Sequence, residues 1–214
     1  MGKIECIIFD LDGVLTDTSR LHYKAWKKLA DEMNIYFDES INERLKGVSR
    51  KESLEIILEL SKNSYSEQEK EKLAETKNTY YKKMIESLGP QDLYLGVEEL
   101  LQDIKSRQLK TVLASASKNA SFIINRLGIE KYFDYIVDAN YIKNGKPDPE
   151  IFINGAEKVQ ANPENCIVIE DSIAGLIAAK RAGMIAVGIG NSELLDYADF
   201  IFESTGKVDI DFLC

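Results

Sequence analysis

The stretch Ile4-Glu5-Cys6-Ile7-Ile8-Phe9-Asp10-Leu11-Asp12-Gly13 decides the fold. Its first six residues are short, apolar and rich in isoleucine, which reads as a buried strand. Two carboxylates then follow two residues apart, and Gly13 permits the positive φ of a sharp exit. Ligands of open parallel sheets bind outside the C-terminal strand ends, so Asp10 and Asp12 are candidates for chemistry.

A helix is expected from about Ser19 to Met33, with Leu21, Ala25, Leu29 and Met33 spaced four apart on one face. Only helical signals follow as far as Leu88. Ser49-Arg50-Lys51-Glu52 and Ser66-Glu67-Gln68-Glu69 both match the capping box, in which Ser and Glu satisfy free backbone N–H groups reciprocally. The first opens a helix with Leu54, Ile57 and Leu58. The second opens a long charged helix through Leu73, Tyr80, Met84 and Leu88, ended by Gly89-Pro90.

Beyond Pro90 helices and strands alternate. The pattern predicts a helix from Val97 to Gln108, a strand from Thr111 to Ala114, a helix from Lys118 to Leu127 and a strand from Tyr135 to Val137. Asp148-Pro149 reads as an N-cap with proline at the first helical position, starting a helix to about Val159. Strand Cys166–Ile169, a helix to Ala182 closed by Gly183, strand Ile185–Val187 and a short strand at Phe200–Phe202 complete the chain. The fold class expected is α/β: a parallel sheet with helices on both faces, interrupted after its first strand by an all-helical cap domain. Residues 1–17 and 90–214 would form the catalytic core and residues 18–89 the cap.

Composition narrows the function classes. With 214 residues, 44% of them hydrophobic, the chain can bury one substantial core and a smaller satellite. No apolar run approaches the ~20 residues of a membrane span, and no small-residue cleavage site follows the N-terminus, so neither membrane insertion nor a signal peptide is expected. Cys6, Cys166 and Cys214 are far apart and odd in number, with no CxxC and a single histidine, His22. Neither a disulfide framework nor a zinc site is suggested, and a cytoplasmic protein is expected. A net charge of −9 argues against a nucleic-acid partner and demands a local cationic pocket for a small anionic substrate.

The strand ends supply the candidates. Asp10, Glu170 and Asp171 offer hard oxygen ligands, which favours Mg²⁺. Unit charges ~4 Å apart interact by ~4 kcal/mol at an effective dielectric of 20, so such carboxylates need a metal and a lysine to offset their repulsion. Ser115-Ala116-Ser117-Lys118 falls where a helix is expected to begin, and free amides there bind phosphate; Lys146 adds a full charge. Asp10 would attack phosphorus to form an aspartyl-phosphate. Asp12 would serve as general acid and base, its backbone carbonyl also meeting the metal. Each residue has an ordinary reading too: Glu170, Asp171, Ser115 and Ser117 as helix caps, Lys146 as a solvated turn lysine.

Asp10-Leu11-Asp12-Gly13-Val14-Leu15-Thr16-Asp17-Thr18, Ser115, Lys146-Pro147-Asp148-Pro149 and Glu170-Asp171-Ser172, in that order, strongly resemble the haloacid-dehalogenase-like superfamily. The resemblance implies a Rossmann-like core with the helical cap inserted after its first strand. Dehalogenases and phosphonate hydrolases of that superfamily lack the second aspartate; Asp12 therefore implies a phosphatase or a phosphomutase. Leu45-Lys46-Gly47-Val48-Ser49-Arg50, Leu21-His22-Tyr23-Lys24-Ala25-Trp26, Ala114-Ser115-Ala116-Ser117-Lys118-Asn119 and Lys77-Asn78 resemble its sugar-phosphate mutases. That similarity implies interconversion of β-glucose 1-phosphate and glucose 6-phosphate through a bound bisphosphate, in a protein that can work as a monomer.

By the same similarity Ser115, Ala116 and Lys146 would bind the transferring phosphate, and Arg50 the phosphate that stays. Lys46, Gly47, Val48 and Ser49 would contact sugar hydroxyls, with Ser117, Lys118 and Asn119 opposite. Lys77 would face the substrate, His22 would position Asp12, and Trp26 would pack nearby. Taken singly, Arg50 and Lys77 are also ordinary helix charges, and Trp26 ordinary packing. A sugar-phosphate phosphatase and, more remotely, a phosphate-accepting signalling module remain open at this level.

Overall fold

The structure, a computed structural model, describes residues 3–45 and 48–213. Strands β1 (Cys6–Phe9), β2 (Lys110–Ala114), β3 (Tyr135–Val137), β4 (Cys166–Glu170), β5 (Ile185–Ile189) and β6 (Phe200–Phe202) form one sheet in the order β3-β2-β1-β4-β5-β6. Every pairing is parallel. Order reverses at β1, where the chain crosses from one half of the sheet to the other, as in doubly wound folds. Register aligns Phe9 with both Leu113 and Ile169. The residues that follow them therefore emerge along one edge. The α/β class with a Rossmann-like parallel sheet is what the motifs implied.

Alternation along β1 divides the core. Ile7 and Phe9 face one layer with Leu113, Ile167, Ile169 and Val187, under helices α5 (Val97–Ser106) and α6 (Ala120–Arg126). Cys6 and Ile8 face the other with Val112, Val168, Phe152 and Leu176, under α7 (Glu150–Lys158) and α8 (Ile173–Arg181). Both faces are covered, which is why these strands read as continuous apolar runs.

Between β1 and β2 the chain builds α1 (Ser19–Glu32), α2 (Glu39–Glu43), α3 (Arg50–Leu58) and α4 (Glu67–Ile85). Their own core gathers Trp26, Leu29, Phe37, Leu54 and Ile57. Ala25, Tyr81, Ile85 and Leu88 instead join the α/β layer, so the helical insertion is seated on the core through one apolar strip. Both capping boxes form, Ser49 with Glu52 and Ser66 with Glu69.

Several boundaries depart from expectation, four of them at helix ends with a visible cause. α4 stops at Ile85, because Leu88 turns back through a bond from its N–H to the Ile85 carbonyl and drops into the core. α5 stops at Ser106, and Gln108 takes a φ of 61°. α6 begins at Ala120, not Lys118, since Ser117 and Asn119 N–H groups bond to the hydroxyls of Ser115 and Ser117 and hold a non-helical turn. α7 begins at Glu150: the Asp148 carboxylate accepts the Glu150 N–H at 3.0 Å, and Pro149 occupies the cap position rather than the first turn.

Ile8 is fully buried on the central strand between α7 and α8. Ile8→Ala is expected to cost about 2–5 kcal/mol of unfolding free energy, measured by urea denaturation with an unchanged m-value.

Candidate active site

Three strand ends and one loop converge on a buried charge cluster. Asp10 follows β1, Glu170 ends β4, and Asp171 follows it. Lys146 enters from the loop after β3 and is 1% exposed, its Nζ 2.5 Å from Asp10 Oδ1 and 2.5 Å from Glu170 Oε1. The ordinary reading of Lys146 as a solvated turn residue is thereby excluded. Glu170 Oε2 accepts the Ser172 N–H and hydroxyl, and Ser172 in turn caps α8. Glycines make the close packing possible. A Cβ on Gly13, whose φ is +82°, would meet Asp171 Oδ2 at 2.0 Å, and one on Gly175 would meet Glu170 Oε1 at 1.9 Å.

Oxygens of Asp10, Glu170 and Asp171 lie within 4.8 Å of one another. This all-oxygen set, crowded by negative charge and walled by glycine, fits a hard divalent cation. Asp12 lies outside that set, so its side chain is not among the gathered donors; the expectation that it meets a metal rests on its backbone carbonyl alone. Its Oδ1 is buried without a hydrogen-bond partner among the described residues.

The electrostatics follow from crowding. Burial pushes the Asp10 carboxyl up to about 6; Lys146 pulls it back down and Glu170 pushes it further up. Burial and then the charge of Asp10 push Asp12 up to about 7. Asp171 is pushed well above the usual carboxylate range by burial, then by Glu170 and Asp10. Burial disfavours the Lys146 ammonium, yet Asp10 and Glu170 together hold its pKa above that of a free lysine. Asp12 is thus a carboxyl that can carry or accept a proton near neutral pH, which suits general acid–base work.

The helical insertion closes the other wall of a cleft of about 910 Å³, lined by Asp10, Asp12, Arg50, Lys77 and Asn119 among others. Arg50 sits in the first turn of α3 behind the Ser49 cap, its guanidinium 3.6 Å from Glu75. Lys77 is 2% exposed and lies over the Trp26 ring at 4.6 Å. Burial, then Arg50, drives the Lys77 pKa far below that of a free lysine. Its Nζ lies 2.7 Å from His22 Nδ1. With Nδ1 accepting from lysine, the ring proton belongs on Nε2, which faces Asp12 Oδ2 at 4.0 Å. Burial, then Lys77 and Arg50, keep His22 neutral by lowering its pKa.

Val48, Ser49, Ala116, Ser117 and Lys118 also line the cleft. Lys46 and Gly47 fall outside the described residues. Ser115 is 1% exposed and differs from expectation. It stands five residues before α6, its N–H bonds to the Val137 carbonyl, and its hydroxyl accepts from Ser117. Ser115 therefore caps no helix; it braces the turn that carries Ser117 and Asn119, and the amides expected to meet phosphate are those that follow it. Sequence reasoning passed over Tyr81, which lines the cleft and lies 4.0 Å from the His22 ring centroid. Its position four residues after Lys77, on the same helix face, was the available signal.

A model of haloacid dehalogenase-like hydrolases matches residues 4–183. The chain belongs to the haloacid dehalogenase-like hydrolase family. It is 43% identical to a β-phosphoglucomutase of Bacillus subtilis over 98% of this chain and 94% of the relative. It is 36% identical to a phosphorylated carbohydrates phosphatase of Thermotoga maritima over 85% of this chain and 82% of that one. Among solved structures, a β-phosphoglucomutase from Clostridium difficile superposes with a TM-score of 0.95 at 48% identity, covering 98% of this chain and 95% of the other. Among the described residues no helix is long and apolar enough to cross a membrane.

Asp10, Asp12 and Asp171 of this haloacid dehalogenase-like chain each have a folded-state pKa above the ordinary value of 3.8. Protonation therefore favours the fold: their stabilising contribution is full below the unfolded pKa and is lost as pH rises through the folded values. The metal-free protein is expected to lose thermal stability from about pH 4 to about pH 7. A divalent cation should restore more stability at the upper end than at the lower, because it binds the ionised cluster. Melting curves with chelator and with added cation check this. Asp171→Asn should flatten the metal-free decline.

Proposed function

We propose that the protein is a magnesium-dependent β-phosphoglucomutase, interconverting β-glucose 1-phosphate and glucose 6-phosphate through a bisphosphate intermediate. One observation carries the reading: a second anion-binding group, Arg50 at a helix N-terminus, lines the same cleft as the Asp10–Asp12 pair. A phosphatase needs one phosphate site. A mutase working on a bisphosphate needs two, one where the group is transferred and one that grips the other end. The likeness to β-phosphoglucomutases over nearly the whole chain supports the same conclusion.

In this reading the Asp10 carboxylate attacks phosphorus, the bond to the leaving oxygen breaks, and an aspartyl-phosphate forms. Asp12 hands its proton to that oxygen, then recovers one from the hydroxyl that attacks next. Asp10, Glu170, Asp171 and the Asp12 carbonyl would hold Mg²⁺, which supplies charge screening between nucleophile and phosphate when bound. Lys146 keeps Asp10 anionic and in place, and its ammonium stabilises charge on the transferring oxygens. Lys77 orders His22 so that Nε2–H faces Asp12. Ser117, Lys118 and Asn119 contact the sugar from the core, and Val48 and Ser49, with Lys46 and Gly47, from the insertion. Trp26 packs beneath Lys77 as part of the wall. Residues 18–89 act as a cap on the core segments 1–17 and 90–214, excluding water while the intermediate reorients.

The partners are small sugar phosphates and bisphosphates. The acidic surface argues against nucleic acid, and the free buried thiols of Cys6 and Cys166 suit a reducing cytoplasm. The protein works as a monomer, since one chain supplies both walls of the cleft.

The likeness to the Thermotoga phosphatase favours a second reading, hydrolysis of sugar phosphates. Incubation of β-glucose 1-phosphate with Mg²⁺ and a trace of bisphosphate separates the two. Glucose 6-phosphate is expected to accumulate; inorganic phosphate released at a comparable rate would favour the phosphatase. Asp10→Asn should abolish phosphorylation and turnover together. Arg50→Ala should lower isomerisation by about 10²-fold or more while Asp10 is still phosphorylated by acetyl phosphate. Equal loss of both activities would remove Arg50 from its role.

A further inference from the structure

Arg50 opens helix α3 with its side chain 20% exposed and lining the cleft. A guanidinium carries five N–H donors in a fixed fork, yet among the described residues this one makes no hydrogen bond. Its ion-pair partner is Glu75 of α4, 3.6 Å away, close enough for Coulomb attraction and too far for a hydrogen bond. Burial lowers the Arg50 pKa, and the Glu75 charge opposes that.

Neighbours hold Glu75 at this spot. Its other carboxylate oxygen accepts a hydrogen bond from Asn78 Nδ2 at 3.3 Å, three residues on along the same helix face. Asn78 is buried, and its Oδ1 accepts in turn from Asn119 Nδ2 at 3.1 Å, from the loop after β2. The Glu75 side chain is 63% exposed, so its carboxylate has room to swing away while Arg50 is confined.

A carboxylate here works against the cleft that contains it. A phosphate held by Arg50 needs the donors that Glu75 faces, and two anions cannot share them without repulsion. The fold gains little from the pair, since an exposed ion pair contributes little to stability.

We propose that Glu75 is the rival of the retained phosphate at Arg50: its carboxylate pairs with the guanidinium when no anion is bound, yields it to the phosphate, and retakes it as the phosphate leaves. This rests on the reading of Arg50 as the second phosphate anchor and deepens it. A bisphosphate that presents first one end and then the other to Asp10 has to leave Arg50 in every cycle. A carboxylate waiting beside the guanidinium lowers the cost of leaving. Glu75 thus sets affinity without touching the group that is transferred.

Trp26 is the only tryptophan of the chain and lines the cleft, so its fluorescence reads binding of glucose 6-phosphate without turnover. The full chain is compared with Glu75→Gln, Glu75→Lys, Arg50→Ala, and Arg50→Ala combined with Glu75→Gln. Glu75→Gln is expected to tighten binding about fivefold, the scale of an exposed ion pair removed as competitor. Glu75→Lys should tighten it further, and added potassium chloride should shrink both differences. In the isomerisation assay KM should fall by a similar factor while kcat does not rise, because a firmer grip slows the exchange of ends. Behind Arg50→Ala, Glu75→Gln should change little, since rivalry needs the guanidinium.

If Glu75 instead positioned Arg50 for its ligand, Glu75→Gln would weaken binding; that result, or unchanged binding, would overturn the proposal. Equal tightening with and without Arg50 would also sink it, as the mark of a general change of field in the cleft. The two readings fail separately. Parent-like binding by Arg50→Ala removes the anchor, and the rivalry falls with it. Weak binding by Arg50→Ala together with parent-like binding by Glu75→Gln leaves the anchor standing and removes the rivalry alone.

Discussion

A lysine almost without access to water bridges two carboxylates at the centre of this protein, and the rest is arranged to make that tolerable. Lys146 holds Asp10 and Glu170 on adjacent strand ends, with Asp171 beside them. Burying ions costs several kcal/mol each, so the cluster persists only because its members compensate one another. Parallel pairing of β1 with β4 sets the carboxylates side by side, and Gly13 and Gly175 remove the Cβ atoms that would force them apart. Compensation is incomplete, and the consequence is chemical: Asp10 and Asp12 are held near the range in which a proton can come and go.

The opposite wall repeats this logic with the sign reversed. Arg50, Lys77 and His22 crowd basic groups into a part-buried cleft, where burial and then the neighbouring Lys77 and Arg50 disfavour charging the imidazole. A neutral histidine bonded to lysine through one nitrogen presents its N–H to Asp12 through the other. The cationic pocket that an acidic protein needs for an anionic substrate is therefore assembled across a boundary, half from the sheet and half from the insertion. Its seat is the apolar strip of Ala25, Tyr81, Ile85 and Leu88, which ties the insertion to the layer beneath α5 and α6.

Much of this was legible in the chain. The run Ile4–Phe9 announced a strand because a doubly covered strand has no polar face, and both capping boxes formed where their Ser and Glu residues stood. Interactions that are local in sequence determine such features. The boundaries that failed did so where side chains or tertiary packing overrode local preference. Ser115 and Ser117 bent the chain before α6 began, and the core drew Leu88 out of its helix. Ser115 was recognised as important, yet its role as a brace for the turn depends on the Val137 carbonyl, which lies on another strand.

The sequence by itself determined the succession of strands along the chain, the presence of four acidic groups at their ends, and the helical nature of the segment between β1 and β2. It did so through periodicity, capping and composition, which act over a few residues. Only the tertiary structure decided that Lys146 is buried between Asp10 and Glu170, that Asp12 faces His22, and that the Tyr81 ring lies against His22. Those facts depend on residues from ten to more than a hundred positions apart, and on burial, which raises or lowers a proton affinity only once water has been displaced.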